Sequence, residues 1–221
     1  MSTKEQRLLD YVRGHSKSGH PLSVLEAFDA FSNDLEWTMH VGETKGVVLD
    51  QAIRDLQPKV CLELGTYCGY SAIRTARQLR IEGARVLCVE CCQEYADVTR
   101  ETVRHAGLDK KIKVIVGNSS QVIPQLKKKY GTMKVDFVFL DHVESLYTTD
   151  LKLLERHDLL STGSVILADN VLHPGAPDFL KYVRGSPRYE CSFHPATVRV
   201  EGNTVQDGLM KAVYYHRRLS V

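Results

Sequence analysis

Beyond Pro58, five short apolar runs alternate with segments of helical period. "KVCLEL", "RVLCVE", "IKVIVG", "VDFVFL" and "SVILAD" are near-continuous in branched or aromatic apolar residues, as strands buried on both faces are. Between them, "SAIRTARQL", "QEYADVTRETVRHAG", "SQVIPQLKKKY" and "TTDLKLLERHDLL" repeat apolar residues at helical spacing, and Gly107 supplies the stop of the second. Three helices precede them. The first carries Leu8, Leu9 and Val12 on one face. The second opens on a capping box of Ser23 and Glu26, with Leu25, Phe28 and Phe31 behind it. The third covers "GVVLDQAIRDL" and stops at Pro58.

Apolar strands separated by helices specify a parallel sheet covered on both sides. "PDFLKYVRG" reads as one more helix, and "RYECSFH" and "GLMKAVYYH" as an antiparallel hairpin at one edge. The expectation is a single doubly wound α/β domain over residues 1–221, without repeat or linker. Ligands of such sheets bind at the carboxyl ends of the strands, near the point where the winding reverses.

Composition removes several alternatives. Lys and Arg number 29 against 27 Asp and Glu, a net charge of +2. That lacks the clustered positive excess of a nucleic-acid binder. The one basic run, Lys127 to Lys129, falls at a helix end, where cations complement the helix dipole. No apolar run approaches the roughly 18 residues of a membrane span. The opening "MSTKEQRLLDYVRG" has no signal-peptide core, so a soluble, cytoplasmic chain is expected. The six cysteines lack the spacing of a disulfide framework. Cys88 and Cys91 are spaced C-x-x-C, but zinc needs a second such pair, so they read as a buried strand residue and a loop thiol.

All five strand ends carry glycine or acid. The first runs into "ELGTYCGYS", which keeps Gly65 and Gly69 but not the third glycine of a dinucleotide loop. Glu63 stands at the loop entry, where a carboxylate repels a pyrophosphate and attracts an ammonium group. Glu90, ending the second strand, suits a ribose diol. A ligand with an amino-acid ammonium and a ribose but no pyrophosphate is S-adenosylmethionine. The third strand ends at Gly117 to Ser120, the fourth at Asp141 and the fifth at Asp169 and Asn170. The last two strands should be neighbours, so two carboxylates and an amide oxygen converge into a hard oxygen site for Mg2+, unless Asp169 and Asn170 only cap the following turn. A cation also accounts for adjacent carboxylates that would otherwise repel.

The stretches "VLEAFDAF", "MHVGETKG", "LELGTYCGYSA", "VIPQLKKKY", "DFVFLDH", "LADNV", "PGAPDFLKYVRG" and "DGL" together resemble the catechol O-methyltransferases, along nearly the whole chain. The resemblance implies a Rossmann-like class I methyltransferase with a mostly parallel seven-stranded sheet. It implies S-adenosylmethionine and Mg2+, and a small catechol substrate of the catecholamine neurotransmitter type. It places Val41, Glu63, Gly65, Tyr67, Ser71, Glu90, Ser119 and Asp141 against the cofactor, with His142 beside the adenine. Asp141, Asp169 and Asn170 match the metal ligands. Trp37, Met39 and Pro174 match the walls of a shallow catechol pocket, with Asn170 and His173 beside it, and Glu201 matches a glutamate that binds the second hydroxyl. Departures from the family pattern are Val143 for a tryptophan, His40 for an asparagine, His173 at one gatekeeper and Glu144 for the catalytic lysine.

That lysine takes the hydroxyl proton. Glu144 beside a cation is a poor base, so slow turnover is expected, with His142 as the alternative candidate. The favoured reading is an active, Mg2+-dependent catechol O-methyltransferase. A second is a methyltransferase-fold protein that binds S-adenosylmethionine and acts chiefly through a protein partner, prompted by a resemblance to the transmembrane O-methyltransferases. A third, an NAD-binding oxidoreductase, is disfavoured by Glu63 and the missing middle glycine.

Overall fold

The computed structural model describes residues 2–200 and 203–216. Strands β1 (Val60–Leu64), β2 (Arg85–Glu90), β3 (Ile112–Val116), β4 (Val135–Leu140) and β5 (Leu160–Ala168) run parallel. β6 (Tyr189–Val200) and β7 (Asn203–Tyr214) form an antiparallel hairpin, and β7 pairs antiparallel with β5. The order across the sheet is β3-β2-β1-β4-β5-β7-β6. The winding therefore reverses between β1 and β4, which opens a crevice at their carboxyl ends.

Alternate residues of each inner strand enter opposite cores. Cys61, Val86, Cys88, Phe137, Phe139 and Val165 pack under α1 (Lys4–His15), α2 (Pro21–Asp34), α3 (Gly42–Leu56), α4 (Tyr70–Ala76) and α5 (Gln93–His105). Leu62, Leu64, Leu87, Val138, Leu140 and Ile166 pack under α6 (Ser119–Val122), α7 (Leu126–Tyr130), α8 (Tyr147–Arg156) and α9 (Pro177–Gly185). Each fully buried leucine, isoleucine or phenylalanine contributes about 1.5–3 kcal/mol. Two-sided burial is why these strands read as unbroken apolar runs.

Several boundaries differ from expectation. The capping box of Ser23 and Glu26 does not form. α2 starts at Pro21, whose fixed φ suits the first helical position, and the His20 ring accepts the Ser23 N–H instead. α3 begins at Gly42, ahead of the expected Gly46. The helix expected over "SQVIPQLKKKY" is broken into α6, a 3₁₀ turn at Ile123–Gln125 and α7, because Pro124 has no N–H to donate. The helix expected over "TTDLKLLERHDLL" ends at Arg156, since Leu160 already belongs to β5. β6 and β7 outrun the expected hairpin, with pairing from Tyr189 and Tyr214 out to Val200 and Asn203.

No helix of the described residues is long and apolar enough to cross a membrane. The cysteines are all free, with Cys88 buried and Cys91 exposed.

Candidate active site

β1 delivers Glu63 into the interior, where it is 1% exposed. Its Oε1 accepts the Ser71 hydroxyl at 2.9 Å, while Oε2 is buried without a hydrogen-bond partner. Burial pushes the carboxyl up to about 7, and the neighbouring Glu90 charge adds to the rise against the Ser71 hydrogen bond. The folded chain thus holds a proton that the unfolded chain, with an ordinary value of 4.5, has already released. Stability must fall as pH rises from the lower value through the upper one, by a total of about 3 kcal/mol. Glu63→Gln removes the buried charge, so it should raise the unfolding midpoint of the ligand-free protein at pH 8 and change it little at pH 5. Equal midpoints at pH 8 would show that the carboxylate costs nothing where it lies.

The loop after β1 closes tightly against the end of β4. Gly65 has a φ of 81°, and a Cβ there would lie 2.3 Å from the Asp141 carbonyl oxygen. This glycine is required by its own chain as well as by any ligand. Glu90, at the end of β2, holds the same loop: Oε2 accepts the Thr66 and Tyr67 N–H groups at 3.1 Å each, and Oε1 that of Cys92 at 2.9 Å. Three of a carboxylate's roughly four acceptor sites are therefore taken by main chain. Tyr67 sits in the left-handed region at φ 48° and donates its hydroxyl to Glu5 at 2.7 Å. Val41 is buried just ahead of α3, and Ser119 is buried at the start of α6.

Leu140 pairs with Ala168, so Asp141 and Asp169 leave the sheet side by side. Asp169 Oδ1 accepts Lys45 Nζ at 2.6 Å and the Asn170 N–H at 2.7 Å. Lys45 also donates to Asp207 Oδ2 at 2.6 Å, and all three side chains are at most 3% exposed. Asp207 further accepts the Asn170 amide at 3.2 Å and the N–H groups of Leu172 and His173 at 3.1 and 3.0 Å. The Asn170 amide nitrogen also meets the His173 carbonyl at 3.2 Å. Asn170 Oδ1, Asp169 Oδ2 and the Asp141 carboxylate receive no hydrogen bond from the described residues.

These are three oxygen centres, two of them carboxyl groups. Burial raises the Asp141 carboxyl well above its usual range, and the Asp169 and Glu63 charges push the same way against Lys45. Burial also raises Asp169, with Lys45 opposing. The donor set is hard, electron-rich and unsatisfied, which fits Mg2+. Among the described residues no group of three or more His, Cys, Asp or Glu side chains is arranged to hold a metal.

Sequence reasoning singled out neither Lys45 nor its pairing with Asp207. A signal existed: Lys45 precedes Leu49, Ala52 and Ile53 at helical spacing, on the buried face of α3.

His142 turns into α8, with Nε2 2.7 Å from Asp150 Oδ2 and Nδ1 buried without a partner. Glu144 opens a 3₁₀ turn, Glu144–Leu146; its carbonyl accepts the Tyr147 N–H, and its carboxylate receives no hydrogen bond from the described residues. Its charge contributes to the rise at Asp141. Trp37, Met39 and Val143 are exposed, as is Pro174, which follows a cis peptide bond from His173. One cleft brings together Met39, His40, Gly65, Tyr67, Ser71 and Asp141. Glu201 lies outside the described residues.

A sequence profile described as O-methyltransferase matches residues 16–178, from before α2 into α9. This chain belongs to the O-methyltransferase family. It is 52% identical to catechol O-methyltransferase of Bos taurus over 213 residues, 96% of this chain and 77% of that one. It is 40% identical to human transmembrane O-methyltransferase over 211 residues, 95% of this chain and 72% of that one. Among solved structures, an O-methyltransferase from Bacillus cereus in complex with SAH superposes with a TM-score of 0.73 at 25% identity, covering 88% of this chain and 90% of that one. TomG from Streptomyces achromogenes, in complex with SAM, gives 0.74 at 21% identity over 97% of this chain and 100% of that one, a likeness of fold. The class I methyltransferase architecture expected of an O-methyltransferase is the one found.

Proposed function

We propose that the chain transfers a methyl group from S-adenosylmethionine to one hydroxyl of a catechol, with Mg2+ held by Asp141, Asp169 and Asn170. The observation that carries this reading is a set of oxygens left without donors at one rim: the orphaned Glu63 oxygen, and the free oxygens at the ends of β4 and β5. The identity to catechol O-methyltransferase supplies the acceptor class. When bound, S-adenosylmethionine supplies an electrophilic methyl group, and Mg2+ lowers the pKa of an acceptor hydroxyl.

The chain's own residues do the rest. Glu63 accepts the cofactor ammonium, with Ser71 fixing its other oxygen. Glu90 holds the glycine loop in shape and has about one acceptor site left for a ribose hydroxyl. Val41, Tyr67, Ser119 and His142 line the remainder of the cofactor path. Trp37, Met39, His173 and Pro174 wall the acceptor. Holding acceptor and donor in line supplies much of the rate. Glu144 is the weak member: where the family pattern has a lysine, it offers a carboxylate beside the bound cation, a poor base for the hydroxyl proton.

Two measurements test the reading. Methyl transfer to simple catechol is expected with Mg2+ and not with EDTA; no transfer at any Mg2+ concentration would overturn the assignment. Glu90→Gln should weaken S-adenosylmethionine binding by calorimetry at least about tenfold, since bonds to a charged group contribute about 1.5–3 kcal/mol each. Wild-type affinity in that variant would remove Glu90 from the cofactor site.

A further inference from the structure

Residues 37–40 alternate in direction. Trp37 and Met39 point outward, 60% and 50% exposed, while Thr38 is buried and the His40 side chain is 9% exposed. The inward pair is bound on several sides. The Thr38 N–H donates to Ser32 Oγ at 3.2 Å, and the His40 N–H closes back onto the Thr38 carbonyl at 3.0 Å. His40 Nδ1 lies 2.7 Å from Thr38 Oγ1, and Nε2 lies 3.1 Å from Asp29 Oδ1 on α2. Because Asp29 only accepts, the pattern assigns the proton to Nε2 and leaves Nδ1 to accept the threonine hydroxyl.

The other oxygen of Asp29 accepts the Tyr70 hydroxyl at 3.1 Å, and Tyr70 meets the imidazole edge-on at 4.5 Å. Tyr70 is the first residue of α4, directly after the glycine loop. One imidazole therefore ties the segment bearing Trp37 and Met39 to α2, and packs it against the helix that follows the cofactor loop. Both ring nitrogens are committed to this task, although His40 and Met39 line the same cleft as Gly65 and Asp141.

We propose that His40 is a positioning residue for the acceptor: by bridging Thr38 to Asp29 it holds Trp37 and Met39 in one arrangement, which sets how a flat aromatic acceptor seats over the cleft. The seating of a catechol rests on the function proposed above; the bridge does not. Side-chain length separates its two halves. Asparagine at this position can keep the Thr38 contact but falls short of Asp29, whereas glutamine reaches Asp29.

The chain contains a single tryptophan, so its fluorescence reports Trp37 alone. His40→Asn is expected to increase acrylamide quenching and lower the anisotropy of the ligand-free protein. It should raise the catechol KM about fivefold, the worth of one hydrogen bond, with kcat and S-adenosylmethionine affinity within about twofold of wild type. His40→Gln should restore both the fluorescence and the KM. Should His40→Asn not fold, Asp29→Ala cuts the same bond together with the one from the Tyr70 hydroxyl, and Tyr70→Phe, which removes only the latter, is the control. Wild-type quenching and KM in His40→Asn, or a glutamine variant as loose as the asparagine one, would overturn the proposal. If instead no variant, wild type included, methylates a catechol while the quenching difference persists, the proposed function fails and the bridge stands.

Discussion

Asp169→Asn is expected to eliminate Mg2+-stimulated methyl transfer while the chain stays folded. Asparagine keeps an oxygen for the Lys45 ammonium and the Asn170 N–H, the two groups that Asp169 Oδ1 now serves at 2.6 and 2.7 Å. Lys45 also retains Asp207, so no buried charge is left without a partner. What changes is the free oxygen: an amide nitrogen in its place donates and cannot ligate a cation. Losing even an outer partner of a ligand typically costs 10–100-fold in metal affinity, so loss of a ligand with its charge should cost at least about 10²-fold. Calorimetric titration with Mg2+, beside a far-ultraviolet dichroism spectrum matching wild type, checks this directly. Unaltered Mg2+ affinity would take Asp169 out of the metal site.

Glu144→Lys is expected to raise kcat by about 10²-fold or more, because a positioned general base typically contributes about 10²–10⁴-fold. Nothing in the surroundings opposes the exchange: Glu144 is partly exposed, and its carboxylate is bonded to none of the described residues. Its removal also withdraws one of the charges that push the Asp141 carboxyl up. Wild type should methylate slowly at neutral pH and faster as pH rises and more of the acceptor ionises. The lysine variant should lose most of that slope. S-adenosylmethionine affinity should be nearly the same in both, since Glu63 and Glu90 are untouched. A wild-type rate already equal to that of the variant, with a flat profile, would show that proton removal does not limit this chain.

The parallel strands were legible because burial on both faces favours apolar residues at successive positions, as from Phe137 to Leu140. Their ends were legible for the converse reason: Asp141 and Asp169 interrupt apolar runs at the one rim where such sheets bind ligands. Boundaries moved where two local signals competed. Pro21 outweighed Ser23 in starting α2, and Pro124 split what periodicity alone joins.

The supporting contacts were another matter. A lysine on an amphipathic helix ordinarily lies in solvent, and only its register with Leu49 and Ile53 hinted that Lys45 is buried. Its partner Asp207 is 162 residues away. Nor does composition reveal that main-chain N–H groups occupy most of the Glu90 carboxylate, or that Gly65 is held against the Asp141 carbonyl. Those facts depend on distances between atoms remote in the chain.

The last strand in chain order, β7, is an inner strand, set between β5 and β6. A partly folded chain that has laid down only β1 to β5 already holds Asp141 and Asp169 side by side, yet its Lys45 lacks Asp207 and its residues 171–175 have no tether to β7. The Lys45 to Asp207 contact spans 162 residues, and so non-local a contact brings no gain until the intervening chain is ordered. The rim is therefore complete only once the last strand in chain order is in place. Amides of β7 and of the Asn170 to Gly175 segment should exchange with solvent as one cooperative unit, less protected than β1 and β4, so that opening of this unit exposes the cleft without unfolding the sheet beneath it.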